Sequence, residues 1–317
     1  MYNKIMVSII CNTYNHQNYI KDALESFINQ KTDFKFEVLI HDDASTDNTP
    51  YIIREYEKKY PDIIKPIYQK ENQYSKGIKI SQTYQYPRVK GKYIAICEGD
   101  DYWIDSQKLQ KQVKALEQNF DIDMCAHATI MVKAETKDVI KMIAPDSNNS
   151  ILTIENVILN GGGYVATNSL LYRASLNKNI PDFRNEKDMD YTLQIHGALR
   201  GGILYLNDCM SAYRWMSIGS WSSQYYIDIN KQIQLFEKFK IVYNILDKDT
   251  AYRFSKVIMY REMMDVIPLC EFNKDYKKTF YKKYSLIFNN LKFFELFKIL
   301  IRVYFPLLLK IKRKLFK

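Results

Sequence analysis

Glu98, Asp100 and Asp101 place three carboxylates within four residues, directly after the short apolar run Tyr93 to Cys97. Clustered acids repel one another and lose hydration when packed, so core packing gives no reason for them. A divalent cation shared with phosphate oxygens does give one, because Mg²⁺ takes one or two carboxylates and fills its shell from substrate phosphates. A solvated acidic turn capping the next helix is the structural alternative. Two more polar clusters lie upstream. Met6 to Cys11 leads into Asn12, Thr13, Tyr14 and Asn15, and Phe36 to His41 leads into Asp42, Asp43, Ala44, Ser45, Thr46 and Asp47. A carboxylate at Asp42 or Asp43 can accept the N3–H of a uracil ring. Ser45, Thr46 and Asp47 read first as caps of the helix that follows.

Each of these polar clusters ends a β-rich run and precedes a helical pattern, the βαβ rhythm of an open parallel sheet whose ligands sit at the carboxyl ends of the strands. Strands are predicted near 6–11, 36–41, 63–68, 92–97, 123–132, 167–172 and 202–206. Helices are predicted near 17–29, 47–60, 105–119, 153–159, 188–199 and 225–245, with more beyond. Asp105 is the expected N-cap of the third. The expected organisation is an α/β domain over 1–223, with a nucleotide half at 1–103 and an acceptor half at 104–223. A helical extension follows at 224–290, then a basic amphipathic segment at 291–317.

Val7 to Asn15, Asp42 to Asp47, and Glu98 to Trp103 stand in an order and spacing that resemble the family 2 glycosyltransferases. The resemblance implies a GT-A type, Rossmann-like open mixed sheet flanked by helices. It also implies inverting transfer of a sugar from a nucleotide diphosphate, usually UDP, with Mg²⁺ or Mn²⁺ at the acidic cluster. Under it, Glu98, Asp100 and Asp101 are the metal candidates, and Asn12, Tyr14, Asp42, Asp43, Asp100 and Arg214 face the nucleotide sugar. The family's catalytic base precedes a helix in the region of Phe183 to Ile195. Asp188 fits that place best, and Glu186 and Asp190 stay open because local spacing does not decide. A Tyr-Arg pair, Tyr213-Arg214, also matches. Two residues later, where many relatives carry a His that helps bind metal, this chain has Met216, a poor ligand for a hard cation. Gly161, Gly162 and Gly163 suit either a tight turn or close backbone approach to a ligand.

At 317 residues and 47% apolar content the chain can bury a substantial core. Five widely spaced cysteines without a CxxC pair favour a reducing compartment. The first strand pattern begins almost at residue 1, so a signal peptide is not expected. From Leu291 to Lys317 there are eight Lys/Arg and one Glu. Residues 292, 295, 298 and 302 form one charged helical stripe, and the longest uncharged run there, Val303 to Leu309, is far short of a bilayer span. That pattern predicts a helix lying on an anionic membrane surface and a cytoplasmic, peripheral location; docking on the protein's own core is the alternative. Nucleic-acid binding is not expected, since no recognisable motif interleaves aromatic and basic residues. The expected acceptor is a saccharide or lipid-linked glycan in cell-surface polysaccharide biosynthesis. Substitution of Asp by Glu98 and the missing His leave a second reading, a catalytically inactive nucleotide- or glycan-binding protein of GT-A fold.

Overall fold

The computed structural model describes residues 4–186, 189–217, 228–288 and 291–304. The chain divides into two compact units. The first comprises Met1–Val157, Gly162–Ile180 and Asp188–Ser223, and the second Ile158–Gly161, Pro181–Lys187 and Gln224–Lys317.

The first unit is built on one mixed sheet. Its leading strands are β1 (Ile5–Thr13), β2 (Lys35–Asp42), β3 (Ile64–Tyr68) and β4 (Tyr93–Ile96). Then come β5 (Tyr102–Trp103), β6 (Met124–Lys133), β7 (Val139–Ile143), β8 (Ser150–Leu152), β9 (Leu171–Arg173) and β10 (Ile203–Trp215). The order across the sheet is β3-β2-β1-β4-β9-β6-β10-β5, with β7 paired to β6 and β8 to β10. β1 runs parallel to both β2 and β4, and β9 enters antiparallel between β4 and β6. The apolar runs that predicted β1, β2 and β4 are buried on both faces, as a covered parallel sheet requires. Helix α1 (Ile20–Ile28) buries Ile20, Ala23, Leu24 and Phe27, an i, i+3, i+4, i+7 stripe, in the core that also holds Val7, Ile9, Val38 and Ile40. Helices α2 (Thr49–Lys59), α3 (Lys108–Glu117), α4 (Ile154–Asn160) and α6 (Asp190–Ala198) follow the predicted pattern; the end of α4 from Ile158 and a short α5 (Asp182–Glu186) belong to the second unit. Asp105 stands three residues ahead of α3, where its Oδ1 accepts the Gln107 N–H at 2.7 Å.

Three expectations shift. The strand expected at 167–172 is only β9, because Thr167–Ser169 coils into a 3₁₀ turn. The strand expected at 202–206 continues to Trp215 and carries the Tyr213-Arg214 pair. The Gly161-Gly162-Gly163 run behaves as a turn: Gly161 has φ +74°, and the Arg261 guanidinium would lie 3.0 Å from an added Cβ.

The second unit is helical: α7 (Ile229–Asp249), α8 (Ser255–Val266), α9 (Lys274–Phe288) and α10 (Phe293–Tyr304). Its core gathers Phe236, Met263, Val266, Phe280, Tyr284, Ile299 and Val303. Arg261 pairs with Asp265 and donates to the Leu159 carbonyl, fastening the 158–161 segment within this unit.

Candidate active site

β1 has β2 on one side and β4 on the other, so the strand order reverses there; such a switch point opens a crevice at the carboxyl ends of the strands. Backbone bonds carry the chain past those ends in register. The Asp43 N–H donates to the Thr13 carbonyl at 3.0 Å, and the Gly99 N–H donates to the Asn12 carbonyl at 3.0 Å. Asn12, Thr13, Asp42, Asp43, Glu98 and Gly99 therefore share one edge. Gly99 is required for that approach, since a Cβ on it would lie 2.6 Å from Thr13 Oγ1 and 3.0 Å from His16 Nδ1.

The loops leaving β1 and β2 are stitched together. Ser45 Oγ accepts the Asn15 N–H at 2.8 Å, and Asn15 Oδ1 accepts the Thr46 N–H at 2.8 Å. Asp47 accepts from the Gln17 and Thr49 N–H groups, which fits the structural role expected of it at the start of α2. Asn15, Ala44 and Met216 all have positive φ, 55°, 64° and 61°, and each sits just beyond a strand end. Left-handed backbone is inexpensive for Asn and costs more for Ala and Met; strain of this kind gathers at binding sites.

The two aspartates after β2 differ. Asp43 accepts the Gln73 N–H at 2.8 Å with one oxygen and the Tyr74 N–H at 3.0 Å with the other, holding the loop that follows β3. Asp42 is 2% exposed, and its Oδ1 has no hydrogen-bond partner. Burial pushes its pKa up, partly opposed by the hydrogen bond from Ser45. Asn12 accepts from Gln85 and donates to Ser81, while Tyr14 is solvent-exposed.

The acidic cluster splits into two parts. Asp101 is buried, and both its oxygens are committed: Oδ2 accepts from Asn168 Nδ2 at 3.0 Å and Oδ1 from the Arg214 backbone N–H at 2.8 Å. Burial, and then the charge of Asp100, push its pKa well up. Asp100 accepts from Ser217 Oγ at 2.6 Å. Glu98 is exposed, unlike its buried neighbours Gly99, Asp100 and Asp101. Desolvation, then the charges of Asp190 and Asp100, push its pKa up to about 8. Its accessible surface tempers the first cause, but both charges act the same way. Asp190 opens α6 and accepts from Thr167 Oγ1, and Asp190 and Asp100 each lie near enough to Glu98 for their charges to act on it. Asp188 lies outside the described residues.

Arg214, expected to face the phosphates, is engaged by several protein groups. Its guanidinium is buried, pairs with Asp22, donates to the Asp100 carbonyl, and lies over the rings of Tyr19 and Tyr102. It braces the acidic turn from behind. Asn168 is a second brace. Besides holding Asp101 it accepts from Ser211 Oγ and donates to the Ala212 carbonyl, while its own carbonyl accepts from Trp103 Nε1. Sequence reasoning passed over Asn168, Ser217 and Asp22, whose partners lie 67 to 192 residues away in the chain. No local pattern marks them.

The three carboxylates of the motif do not form a ready metal cage, and no group of three or more His, Cys, Asp or Glu among the described residues does so. Glu98, on which the charges of Asp190 and Asp100 both act, nevertheless suits a cation that draws its remaining ligands from phosphates.

Residues 8–180, more than half of the chain, match the profile of Glycosyl transferase family 2. The chain belongs to that family. Within 221 aligned residues it is 36% identical to the Mycobacterium tuberculosis protein Rv1520, covering 69% of this chain and 61% of the relative. It thus spans about three-fifths of the length of that relative. It is 27% identical over 213 residues to TuaG of Bacillus subtilis, a protein provisionally named as a teichuronic acid biosynthesis glycosyltransferase, covering 67% of this chain and 79% of TuaG. Among solved structures, Staphylococcus aureus TarS 1–349 in complex with UDP-GlcNAc superposes with TM-score 0.59 at 16% identity, over 94% of this chain and 82% of TarS 1–349. The Pyrobaculum calidifontis mannosyltransferase PcManGT, in complex with GDP-Man and Mn²⁺, gives 0.51 at 14% identity, over 96% and 82%. At those identities the likeness establishes the fold, which is GT-A.

Proposed function

We propose that this glycosyltransferase transfers a hexosyl or N-acetylhexosaminyl group with inversion from a UDP-sugar to a saccharide or lipid-linked acceptor in cell-surface polysaccharide synthesis. The observation that carries the reading is Glu98 beside the β1/β4 switch point, with the charges of Asp190 and Asp100 acting on it. Asp42, with its spare acceptor atom, and Asn12 are the residues we assign to the nucleobase side. Asp43 contributes indirectly by fixing the Gln73–Tyr74 loop.

The proposed base is a carboxylate opening α6. The family resemblance favours Asp188 and leaves Glu186 and Asp190 open; we put Asp190 forward because its charge acts on Glu98 and Thr167 Oγ1 orients it. As base it takes the proton of the acceptor hydroxyl while that oxygen attacks C1 from the face opposite the departing diphosphate. Such help is worth about 10²–10⁴-fold. Glu98 and Asp100 would hold a Mg²⁺ or Mn²⁺, which when bound offsets the negative charge growing on the diphosphate. Arg214 and Asn168 keep Asp100 and Asp101 in place. A lipid-linked acceptor at an anionic membrane, with the protein peripheral on its cytoplasmic face, is the reading that the basic segment 291–317 supports.

The test compares Asp190→Asn and Asp188→Asn. Asp190→Asn should keep UDP affinity while kcat drops about 100-fold or more. A normal kcat in Asp190→Asn with a collapsed one in Asp188→Asn returns the role to Asp188. Wild-type turnover that survives exhaustive EDTA treatment refutes the metal assignment. UDP binding without any donor turnover favours the inactive-binder alternative.

A further inference from the structure

The last described helix divides its apolar residues between two directions. Ile299 and Val303 are buried in the core of the second unit, so part of the stripe expected to meet lipid is already used for folding. Phe293, Phe294 and Phe297 are 81%, 67% and 49% exposed. At about 100° per residue these three and Ile301 fall in one sector of roughly 100°, away from Ile299 and Val303, with Lys298 and Arg302 next to it. The Phe293 and Phe297 rings stack at 6.2 Å, and Lys298 Nζ lies 5.1 Å from the Phe294 ring. Among the described residues of the unit, these three exposed phenylalanines have no packing explanation on a helix that folds with its other side.

Charge identifies the occupant. Between Phe272 and Lys317 the sequence has thirteen Lys/Arg and two Asp/Glu, leaving 33 basic and 34 acidic residues in the first 271. The whole excess of +10 thus belongs to α9, α10 and the residues that follow them. An aromatic sector flanked by dense positive charge matches an anionic lipid interface, where phenylalanine enters the acyl boundary and Lys and Arg remain among the headgroups.

We propose that Phe293, Phe294 and Phe297 form the lipid-inserting edge of this protein, docking it on anionic bilayers. This deepens the peripheral-membrane reading above and rests on it. The test uses the full chain and vesicles of phosphatidylcholine with or without phosphatidylserine. Wild type should co-sediment with the anionic vesicles, and Phe293→Ser/Phe294→Ser/Phe297→Ser should bind at least about tenfold more weakly with donor hydrolysis unchanged. Phe297→Trp supplies a readout that keeps the fold: its added fluorescence should shift to the blue and be quenched by lipids brominated in the acyl chain. Wild-type protein that ignores anionic vesicles overturns the membrane reading and this surface together. Undiminished binding by the triple variant, or no quenching of the added fluorescence in Phe297→Trp, overturns the surface alone and leaves the polybasic segment as the anchor. Loss of a dimer in the triple variant, with vesicle binding unchanged, reassigns the face to a second copy of the chain.

Discussion

Asp101 carries two hydrogen bonds that hold three parts of the chain together, and its replacement is a structural lesion before it is a catalytic one. Asn168→Ala should lower stability by about 1–3 kcal/mol, because a buried carboxylate oxygen loses its donor. A denaturant titration checks this; an unchanged midpoint would show that solvent replaces the amide. Glu98 gives a pH signature. Its pKa is raised from 4.5 to about 8 in the folded protein, so between those values the folded state binds more protons than the unfolded one. The stability of the unliganded protein should therefore be highest below about 4.5, as far as this group is concerned, and decline as pH rises to about 8. Glu98→Gln should flatten that part of the Tm–pH curve. Mn²⁺ with UDP should raise the wild-type Tm more at pH 8 than at pH 5 (about the two ends of that window), since the ionised cluster is what attracts the cation.

The edge where β1, β2 and β4 end depends on close backbone approach. Gly99→Ala should impair UDP binding and lower Tm together, because the new methyl group meets Thr13 and His16 at the floor of the crevice; a variant with wild-type affinity would show that the turn can shift. Asp43→Ala should weaken nucleotide binding through the freed Gln73–Tyr74 loop, and limited proteolysis between Gln69 and Gly77 should speed up. Undiminished protection of that loop would place Asp43 in direct contact with the nucleotide instead. These elements were readable in the sequence for a physical reason: β1, β2 and β4 are covered on both faces and appear as unbroken apolar runs. β5, β7 and β8 were not, since β5 has two residues, β8 has three, and β7 is mostly exposed. The same contrast holds for the site. Asp42, Glu98 and Asp100 announce themselves by clustering, whereas the bracing roles of Arg214 and Asn168 depend on partners that only the folded chain brings near.

Across the whole molecule, the two units carry different kinds of information. In the first, motif residues and their supports share one sheet; in the second, helices form their own core, and the unit carries the whole excess of positive charge. Among the described residues no helix is long and apolar enough to cross a membrane. β10 adds a feature that bears on time rather than on position. Arg214 and Ser217 reach Asp101 and Asp100 across 113 and 117 residues, and Arg214 reaches Asp22 across 192. Closing loops of that length is slow, and contacts so distant in sequence form late. Strands β1 to β4 and their helices can pair by shorter steps, so the nucleotide side is expected to assemble before the acidic turn is braced. During synthesis, the turn at Glu98 to Asp101 must then wait for more than a hundred further residues before its fastening exists. A folding intermediate with an ordered nucleotide edge and a loose acidic turn would bind UDP before it could use a cation.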